Sequence, residues 1–421
     1  MSADAPLVLS SEDDGAPPAL ASVPVAAPTP APAPALLADD GVAAYVHALD
    51  LPRFEGATVD DLATTAIAGG NLNYAWRCAS GAASVFVKQA PDYIKCLGEA
   101  YGLTSKRMGA EVAALRELGR ISPRHAPAVL AYDAGRQIVI MEDLAGFGHL
   151  RDELQRGACR GDVASDLGAF LAKVHDATKG GAAATYADAF GDDNNGAMRG
   201  VTEAYVFAKP WDGGDETNRD LGGSPALAAR VAALRRDPAA LEAAAAAAAA
   251  FAARRECLCH GDLHPGGVMI RGSDVKVIDP EFTVVAPPGL DFGSLMSGFV
   301  LAYLYHALGL APAGAAHAAP SSPDPLRDDD HVDYLEALRC MWARAEEVLR
   351  EEGVSDEQIE RIGEDTVGFA MMEVVRPARG FAGAGDPARF ESLGDARVMR
   401  RLLSVLPAMA DAAERQAVSA A

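Results

Sequence analysis

Positive charge is scarce in this chain. Its 421 residues include 37 Lys and Arg against 59 Asp and Glu, which gives a formal net charge of -22 at pH 7. Because nucleic acids and anionic membranes are polyanions, this balance argues against either as a partner. A phosphate-bearing ligand remains compatible with it, since a cleft can be locally positive inside an acidic protein. The basic residues that lie within motifs therefore carry more information than the total.

Cysteine is also sparse, and the six residues show no CxxC pair and no framework spacing: Cys78, Cys96, Cys159, Cys257, Cys259 and Cys340. This pattern indicates unpaired thiols in a reducing compartment, so we expect a cytoplasmic protein. Cys257 and Cys259 alternate beside His260, which could indicate a metal site. We favour the alternative that they are two small apolar residues on one face of a buried strand.

Long apolar runs and a basic amino-terminal segment are both lacking. The most apolar stretch, residues 295–310, contains His306 and is shorter than the ~20 residues of a membrane-spanning helix, so it predicts a buried helix. No Lys or Arg precedes Arg53, which argues against a signal peptide or an Arg-rich transit peptide. Residues 1–40, with their repeated Pro-Ala pairs, lack apolar bulk and predict a disordered tail.

Apolar patterning divides the remainder into a strand-rich segment, 41–142, and a mainly helical segment, 143–421. In the first, a helix is predicted to begin at Thr104 or Ser105 and to stop at Gly119. Strands are predicted around a Gly-Gly turn within 66–79, and at 84–89, 128–132 and 137–141. Helices are predicted at 163–178, 225–253, 290–310, 331–352 and 356–375, with a polar, irregular insertion at 186–223. We therefore expect an α+β protein with a small antiparallel-sheet lobe that carries one helix, a large helical lobe, and a cleft between them.

The strongest motif is the segment 259–282, CHGDLHPGGVMIRGSDVKVIDPEF. It places Asp262 on one loop, and Asp279 and Glu281 at the end of an apolar strand. Phosphoryl transfer to an alcohol needs one carboxylate to accept or orient the hydroxyl proton, and others to hold the Mg²⁺ that neutralises the triphosphate. On a regular strand Asp279 and Glu281 would point the same way, as two ligands of one hard cation would. The alternative, two unrelated acidic turns, does not account for the ordered string.

Lys88 ends a predicted strand in apolar surroundings, where an unpaired ammonium would be costly. The following helix offers a partner, because Glu111 falls at helical spacing with Met108 and Leu115 and so lies on the apolar face. A lysine–glutamate pair of this kind holds the α- and β-phosphates in kinases. Without the downstream motif, Lys88 could equally be a surface residue.

Two further segments could contact a nucleotide. A Gly-rich hairpin that contains Gly69, Gly70, Asn71 and Asn73 could bring backbone N–H groups close to phosphate oxygens, although an ordinary β-turn would look the same. Residues 142–144, with Glu142 and Leu144, lie where the sheet pattern changes to helix. In a kinase-like fold that crossing lies beside the adenine, and a plain linker between lobes is compatible with this role.

Several segments resemble the aminoglycoside-phosphotransferase and choline-kinase-like kinases, and among these the methylthioribose kinases. The similarity runs from about residue 60 to 406. It is carried by the segments 69–77 (GGNLNYAWR), 87–99 (VKQAPDYIKCLGE), 202–212 (TEAYVFAKPWD), 259–270 (CHGDLHPGGVMI), 277–282 (VIDPEF) and the EVVRPARG segment around Arg376. The DPE form of the metal motif and the YIKCLGE stretch discriminate within the superfamily.

The resemblance implies a protein-kinase-like two-lobed fold and ATP-dependent phosphorylation of the 1-hydroxyl of 5-methylthioribose, a step in methionine salvage. Carried over by position, Asp262 is the catalytic base, Asp279 and Glu281 bind Mg²⁺, and Lys88 binds phosphate. Gly70 to Asn73 would form the nucleotide loop, and Arg376 would approach the substrate or the transferred phosphate. The family is commonly homodimeric.

The chain departs from the family at three places. Gly267 stands where many related kinases have a metal-binding Asn and methylthioribose kinases tend to have Ser, so the metal would depend on Asp279 and Glu281. Pro377 replaces the second member of the family's arginine pair, and Arg379 could substitute for it. The polar insertion and the alanine runs also differ, which we interpret as drift in surface regions.

Two other functions compete with this one. The altered arginine pair is compatible with a kinase of the same fold that acts on another hydroxylated metabolite, such as an aminoglycoside, choline or homoserine. Gly267 and Pro377 together could also indicate a catalytically silent nucleotide-binding protein. The presence of Lys88, Asp262 and both acidic residues of the DPE motif favours an enzyme.

Overall fold

The computed structural model describes residues 8–9, 35–68, 70–190, 192–212, 232–233, 235–307 and 332–379. Contacts divide the chain into two compact units, residues 1–145 (unit 1) and 146–421 (unit 2). Most of the predicted tail lies outside the described residues, and its disorder stays a prediction. Within it, the short strand at residues 8–9 pairs with the edge of the sheet in unit 1.

Unit 1 contains a six-stranded antiparallel sheet, in the order β1-β7-β8-β4-β3-β2. Its strands are β1 (Val8–Leu9), β2 (Ala63–Ala66), β3 (Tyr74–Ser80), β4 (Ala83–Gln89), β7 (Val129–Asp133) and β8 (Ile138–Glu142). A separate two-stranded hairpin is formed by β5 (Tyr93–Ile94) and β6 (Gly98–Gly102), and the helices are α1 (Val42–His47) and α2 (Arg107–Ile121). The sheet is thus covered by helices on both faces.

The alternation of side chains along β4 decides what each face of this strand contacts. Val85 and Val87 belong to the apolar cluster that includes α1, whereas Phe86 packs against the cluster that includes α2. Because successive strand residues point to opposite faces, Lys88 lies on the same face as Phe86 and is directed towards α2. The period of the strand therefore places a lysine beneath a helix.

Helix α2 differs from its predicted bounds at both ends. It begins at Arg107, and the preceding residue, Lys106, makes no capping bond. Of the two predicted caps, Thr104 accepts from the N–H of Lys106 at 3.3 Å, and the N–H of Ser105 donates to the carboxylate of Asp92 at 2.7 Å. Gly119 does not stop the helix, which continues to Ile121. The cost of a helical glycine, about 1 kcal/mol, is outweighed by the burial of neighbouring apolar residues such as Leu118.

Unit 2 is mainly helical, with two small antiparallel sheets. Its helices are α3 (Leu150–Gln155), α4 (Gly161–Ala177), α5 (Gly181–Phe190), α6 (Asp192–Thr202), α7 (Pro238–Ala253), α8 (Gly289–Ala307), α9 (Val332–Glu351) and α10 (Asp356–Arg379). Its strands are β9 (Gly148–His149), β10 (Cys257–Cys259), β11 (Val268–Arg271), β12 (Asp274–Val277) and β13 (Val284–Ala286). Strand β10 pairs with β13, and β11 lies between β12 and β9. Helix α4 packs along α9, and α8 packs along α10.

The polar insertion predicted at 186–223 is wrong for its described part. Residues 181–190 form α5 and residues 192–202 form α6, and a π-helical turn (Glu203–Ala208) and a 3₁₀ turn (Lys209–Trp211) follow. Apolar anchors spaced along this segment are buried, among them Phe190, Met198 and Phe207. These anchors explain the helices, since buried contacts override a polar average composition. Residues 213–223 lie outside the described part of the chain.

The apolar run predicted as a buried helix lies largely within α8, where Phe292, Leu295 and Phe299 are buried. Among the described residues, no helix is both long and apolar enough to cross a membrane.

Replacing Gly168 by Ala should destabilise unit 2. A Cβ at this position would lie 2.1 Å from the carbonyl oxygen of Met341, so α4 and α9 would have to separate. We expect a loss of about 1–3 kcal/mol in the free energy of unfolding, measured by urea denaturation. The control is Gly200→Ala in α6, where nothing lies within 4 Å of an added Cβ and the change should be neutral or slightly stabilising. Equal unfolding midpoints for the two variants would contradict this close helix contact.

Candidate active site

In unit 1, Lys88 and Glu111 form a buried ion pair. The Nζ atom of Lys88 donates to both carboxylate oxygens of Glu111, at 2.7 and 2.9 Å, and the two residues are 5% and 0% exposed. The pair forms because β4 turns Lys88 towards α2, while Glu111 lies on the buried face of that helix. It fixes the ammonium group in one place. That this ammonium binds the phosphates of a nucleotide stays a prediction.

The predicted nucleotide loop lies between β2 and β3. A buried arginine that sequence reasoning missed is hydrogen-bonded to this loop. Arg107 is fully buried and donates to the carbonyl of Leu72 at 2.9 Å and to Oδ1 of Asn73 at 3.0 Å. Its other terminal nitrogen donates to the carbonyls of residues 91, 103 and 104. A signal was present, because Arg107 precedes Glu111 by one helical turn on the same face.

The loop is also bound to the β5–β6 hairpin. The N–H of Cys96 donates to the carbonyl of Asn71 at 2.9 Å, and Lys95 Nζ donates to the carbonyl of Asn73 at 3.1 Å. Burial lowers the pKa of Lys95. These contacts join the YIKCLGE segment to Asn71 and Asn73. Gly69 lies outside the described residues, so its role stays a prediction.

Residues 142–144 end unit 1 in a defined conformation. Glu142 is the last residue of β8, and one of its carboxylate oxygens accepts from the N–H of Ala128 at 3.2 Å. Asp143 accepts from Arg77 and from Ser84, both at 2.6 Å. The segment is thus fixed to the sheet. Adenine binding at Glu142 and Leu144 stays a prediction.

In unit 2, the loop that carries Asp262 is joined to the strand that leads to Asp279. The ring Nε2 of His260 lies 2.9 Å from the carbonyl oxygen of Ile278. The N–H of Ile278 in turn donates to the carbonyl of Gly267 at 2.9 Å. The predicted catalytic and metal-binding loops are therefore neighbours, as their positions at strand ends suggested. The catalytic role of Asp262 stays a prediction.

Gly261 permits the close approach of these loops. Its φ is +84°, and a Cβ there would lie 2.1 Å from the carbonyl oxygen of Phe282. Any side chain would therefore both strain the backbone and overlap the DPEF turn. This glycine is required by the path of the chain.

The expectation that Asp279 and Glu281 lie on a regular strand is wrong. Strand β12 ends at Val277, Asp279 adopts a left-handed conformation with φ 60° and ψ 45°, and residues 280–282 form a 3₁₀ turn. Proline at position 280 prevents further strand pairing because it has no N–H. Aspartate is one of the few residues that tolerate this backbone region, and such strain is concentrated at functional sites.

The turn is supported by Asn195 from α6, which sequence reasoning placed in a surface insertion. Its Nδ2 donates to the carbonyls of Glu281 at 3.1 Å and Thr283 at 2.9 Å. Glu281 itself is buried, with 7% exposure. Asp279 and Glu281 thus provide two carboxylates on one short turn, an oxygen-only donor set that suits a hard cation such as Mg²⁺.

Beneath the loop that carries Asp262 lies Asp291, another residue that sequence reasoning missed. Its carboxylate accepts from the N–H groups of His260 at 2.8 Å and Gly261 at 3.0 Å, and its Oδ2 lies 3.2 Å from Nε2 of His175. Burial raises the pKa of Asp291, but the hydrogen bond and the charge of His175 outweigh it and leave the pKa lowered. Burial likewise opposes protonation of His175, yet its interactions with Asp291 and with the neighbouring thiol of Cys259 raise its pKa to about 9. The two residues form an ion pair at neutral pH.

Arg376 and Arg379 lie in the last turns of α10, and their side chains lie outside the part that the structure describes. Their contact with a substrate or a phosphate group stays a prediction. Pro377 is accommodated within the same helix.

The fold and these loops together define a class of enzyme, and comparison with known proteins identifies it. The chain belongs to the phosphotransferase enzyme family (APH), whose model matches residues 63–330. It is a phosphotransferase that acts on a hydroxyl group, and membership of a kinase family implies ATP and a small-molecule substrate.

Within that class, the curated relatives carry a narrower name. The methylthioribose kinase of Yersinia enterocolitica is 29% identical over 365 residues, which cover 84% of this chain and 89% of that protein. The methylthioribose kinase of Pectobacterium atrosepticum is 29% identical over 328 residues, which cover 75% and 79%. The resemblance to methylthioribose kinases is therefore confirmed.

A solved structure supports the fold. A glucosamine kinase in complex with glucosamine, ADP and inorganic phosphate aligns with a TM-score of 0.51 and 16% identity, over 92% of this chain and 89% of that chain. The predicted α+β, protein-kinase-like architecture, with a small antiparallel sheet and a helical lobe, is confirmed.

Glu111→Gln should destabilise unit 1 by about 3–5 kcal/mol, because it leaves the ammonium of Lys88 buried without a carboxylate. The double change Lys88→Met, Glu111→Leu removes both charges and should recover most of that loss. Urea denaturation followed by the fluorescence of Trp76 measures both, in a background with Phe at Trp211 and Trp342. Glu117→Gln, which breaks a surface pair with Arg120 on the same helix, is the control and should cost less than about 1 kcal/mol. A double variant as unstable as the single one would refute the buried-charge explanation.

The ion pair of His175 predicts how the stability of unit 2 depends on pH. The pKa rises from 6.5 in the unfolded chain to about 9 in the fold, so the stabilisation is fully present below pH 6.5 and is lost as the pH rises through 9. The loss should be on the order of 3 kcal/mol. Urea denaturation between pH 6 and 10 in metal-free buffer, in a Trp76→Phe background, would measure it. A His175→Gln variant should show a flatter profile, and parallel profiles would contradict the assignment.

Proposed function

We propose that this protein uses ATP to phosphorylate the 1-hydroxyl of 5-methylthioribose, a step in methionine salvage. The observation that carries the proposal is the similarity to methylthioribose kinases over 75–84% of this chain, together with the presence of every acidic residue the reaction needs. The joined loops of unit 2, which carry Asp262, Asp279 and Glu281, support it.

In this proposal Asp262 accepts the proton of the sugar hydroxyl. The hydroxyl oxygen attacks the γ-phosphorus of ATP, and ADP leaves. Asp279 and Glu281 would hold Mg²⁺, which would neutralise charge on the phosphates. The left-handed backbone at Asp279 and the two bonds from Asn195 fix the turn that carries both carboxylates. These residues bind and orient, and Asp262 moves the proton.

Unit 1 would bind the nucleotide. Lys88, held by Glu111, would contact phosphate oxygens, and the backbone of Gly70 to Asn73, with Gly69, would line the phosphates. Glu142 and Leu144 would lie beside the adenine. Arg107 and Lys95 would act as positioning residues, because both bond to backbone carbonyls of the loop.

The substrate end of the proposal rests on chemistry that a neutral thio-sugar requires: groups that bind hydroxyls and an apolar slot for the methylthio end. Arg376, with Arg379 in place of the missing second arginine, would contact the substrate or the transferred phosphate. We further propose that the enzyme acts in the cytoplasm and as a homodimer, which sedimentation equilibrium would test.

A second candidate is a kinase of the same fold for another hydroxylated metabolite, and Pro377 is the observation that favours it. Aminoglycosides and choline are cationic and need an acidic or aromatic pocket. A neutral sugar needs neither, so the acceptor profile discriminates the two.

A coupled assay of ADP release with a panel of acceptors tests the proposal. We expect the largest kcat/KM with 5-methylthioribose, and lower values with ribose, choline, homoserine and an aminoglycoside. Asp262→Asn should lower kcat by about 10²–10⁴-fold and leave ATP binding nearly intact, because the proton acceptor is lost while the nucleotide contacts remain.

The matched control is Asp274→Asn. Asp274 is an exposed residue of the β11–β12 hairpin whose carboxylate pairs only weakly with Arg271, at 3.3 Å. The kcat of the Asp274→Asn variant should equal that of the wild type. Higher turnover of any other acceptor would replace the proposed substrate, and ATP binding without turnover of any acceptor would favour the catalytically silent alternative.

A further inference from the structure

A cluster of two thiols and an imidazole lies behind the catalytic loop and has no part in the proposed phosphoryl transfer. One ring nitrogen of His175 and the sulfurs of Cys257 and Cys259 all lie within 4.8 Å of one another. The three residues are between 0% and 3% exposed. Among the residues that the structure describes, this is the only group of His, Cys, Asp and Glu side chains with such spacing. The histidine is supplied by the last turn of α4, whereas the sequence pattern had pointed to His260.

The elements that carry these residues are fixed to each other. Cys257 and Cys259 are two apart on β10, so the strand presents both sulfurs on one face. The N–H of Leu258, between them, donates to the hydroxyl of Thr178 at 3.0 Å, just beyond the end of α4. This bond fixes the end of α4, and with it His175, relative to strand β10. The cluster is therefore a consequence of the fold and not of flexible side chains.

One nitrogen of His175 lacks a hydrogen-bond partner. Nε2 contacts Asp291, while Nδ1 is buried and has none within the described ranges. A buried polar atom without a partner is uncommon and calls for an explanation such as an ion. Metal-binding histidines usually donate their second ring N–H to a carboxylate, and Asp291 is placed to accept it.

We infer that His175, Cys257 and Cys259 form a binding site for a thiophilic divalent cation, with Zn²⁺ as the type ion. A tetrahedral zinc ion with metal–sulfur bonds of ~2.3 Å separates two sulfurs by about 3.8 Å. The observed separation of the two sulfurs is 3.8 Å. Two thiolates and an imidazole are the donors that zinc prefers, and they do not suit Mg²⁺. Three protein ligands leave one tetrahedral position for a water molecule.

The charges also match. Metal-binding cysteines coordinate as thiolates, so two of them would neutralise the charge of a divalent ion, and their protons would pass to solvent as it binds. The alternative, two thiols that merely fill apolar space, leaves Nδ1 of His175 unexplained.

The position of the site indicates what a bound metal ion would do in the protein. Cys259 immediately precedes His260, and Asp291 contacts both His175 and the N–H groups of the catalytic loop. A bound ion would thus fix the strand and the carboxylate that hold this loop. We expect the ion to stabilise unit 2 and to be unnecessary for phosphoryl transfer itself.

Metal content tests the inference without reference to kinase activity. The full-length protein is produced with added Zn²⁺, dialysed against excess Mg²⁺ so that hard carboxylate sites are occupied, and analysed by mass spectrometry for zinc. We expect about one Zn²⁺ per chain, and at least tenfold less in Cys257→Ala and Cys259→Ala. Replacing Zn²⁺ by Cd²⁺ should give ultraviolet thiolate-to-metal charge-transfer absorption in the wild type and at least tenfold less in the two strand variants.

The matched control is Cys78→Ala in unit 1. Cys78 is equally buried but lies outside the cluster, so this variant should retain zinc. Asp279→Asn should also retain it, which separates this site from the proposed Mg²⁺ ligands. Circular dichroism establishes that each variant is folded; if both strand variants unfold, His175→Gln provides the test. Zinc retention unchanged in folded cluster variants, or none in the wild type at any pH between 7 and 9, would overturn the inference whether or not the protein phosphorylates 5-methylthioribose.

Discussion

The loop of unit 2 that carries Asp262 depends on one buried carboxylate. Asp291 accepts two consecutive backbone N–H groups of the loop that leads to Asp262, and it does so with 1% exposure. A buried charge is tolerated only when it is paired and hydrogen-bonded, and both conditions are met here by His175 and the loop amides. The loop therefore gains its position from a group that cannot move without leaving a charge unpaired.

Unit 1 uses the same physical device. Glu111 is fully buried and holds Lys88, and the guanidinium of Arg107 donates to the carbonyl of Leu72 and to Oδ1 of Asn73 in the loop that precedes β3. In both units a buried charged side chain places a functional backbone or ammonium group, and the loss of one partner would cost several kcal/mol. Rigid placement of this kind is what phosphoryl transfer requires, because catalysis there rests on positioning and electrostatics.

The sequence predicted the residues that stand in a local pattern and missed those that act across the fold. Lys88 and Glu111 could be paired in advance because strand and helix periods are short-range rules. Asp291, His175 and Asn195 could not, since each is a polar residue in a helical segment whose partners lie at least 30 residues away along the chain. The failure at Asp279 has a different cause: a left-handed residue followed by proline ends a strand that apolar patterning would continue. The predicted insertion failed because a few buried anchors outweigh the polar average of a segment.

Gly261 and Gly267, on either side of Asp262, differ in whether the fold leaves room for a side chain. At Gly261 the path of the chain excludes every side chain, because a Cβ would overlap a carbonyl oxygen at 2.1 Å. At Gly267 a Cβ would lie 3.5 Å from the carbonyl of Ile278, an ordinary contact. A Cβ alone would therefore be accommodated at position 267, whereas at position 261 it would not. The proposed metal site depends on two carboxylates, Asp279 and Glu281, and the turn that carries them is held by Asn195. Because both carboxylates lie on that one turn, its support by Asn195 is a feature on which the proposed metal binding should depend.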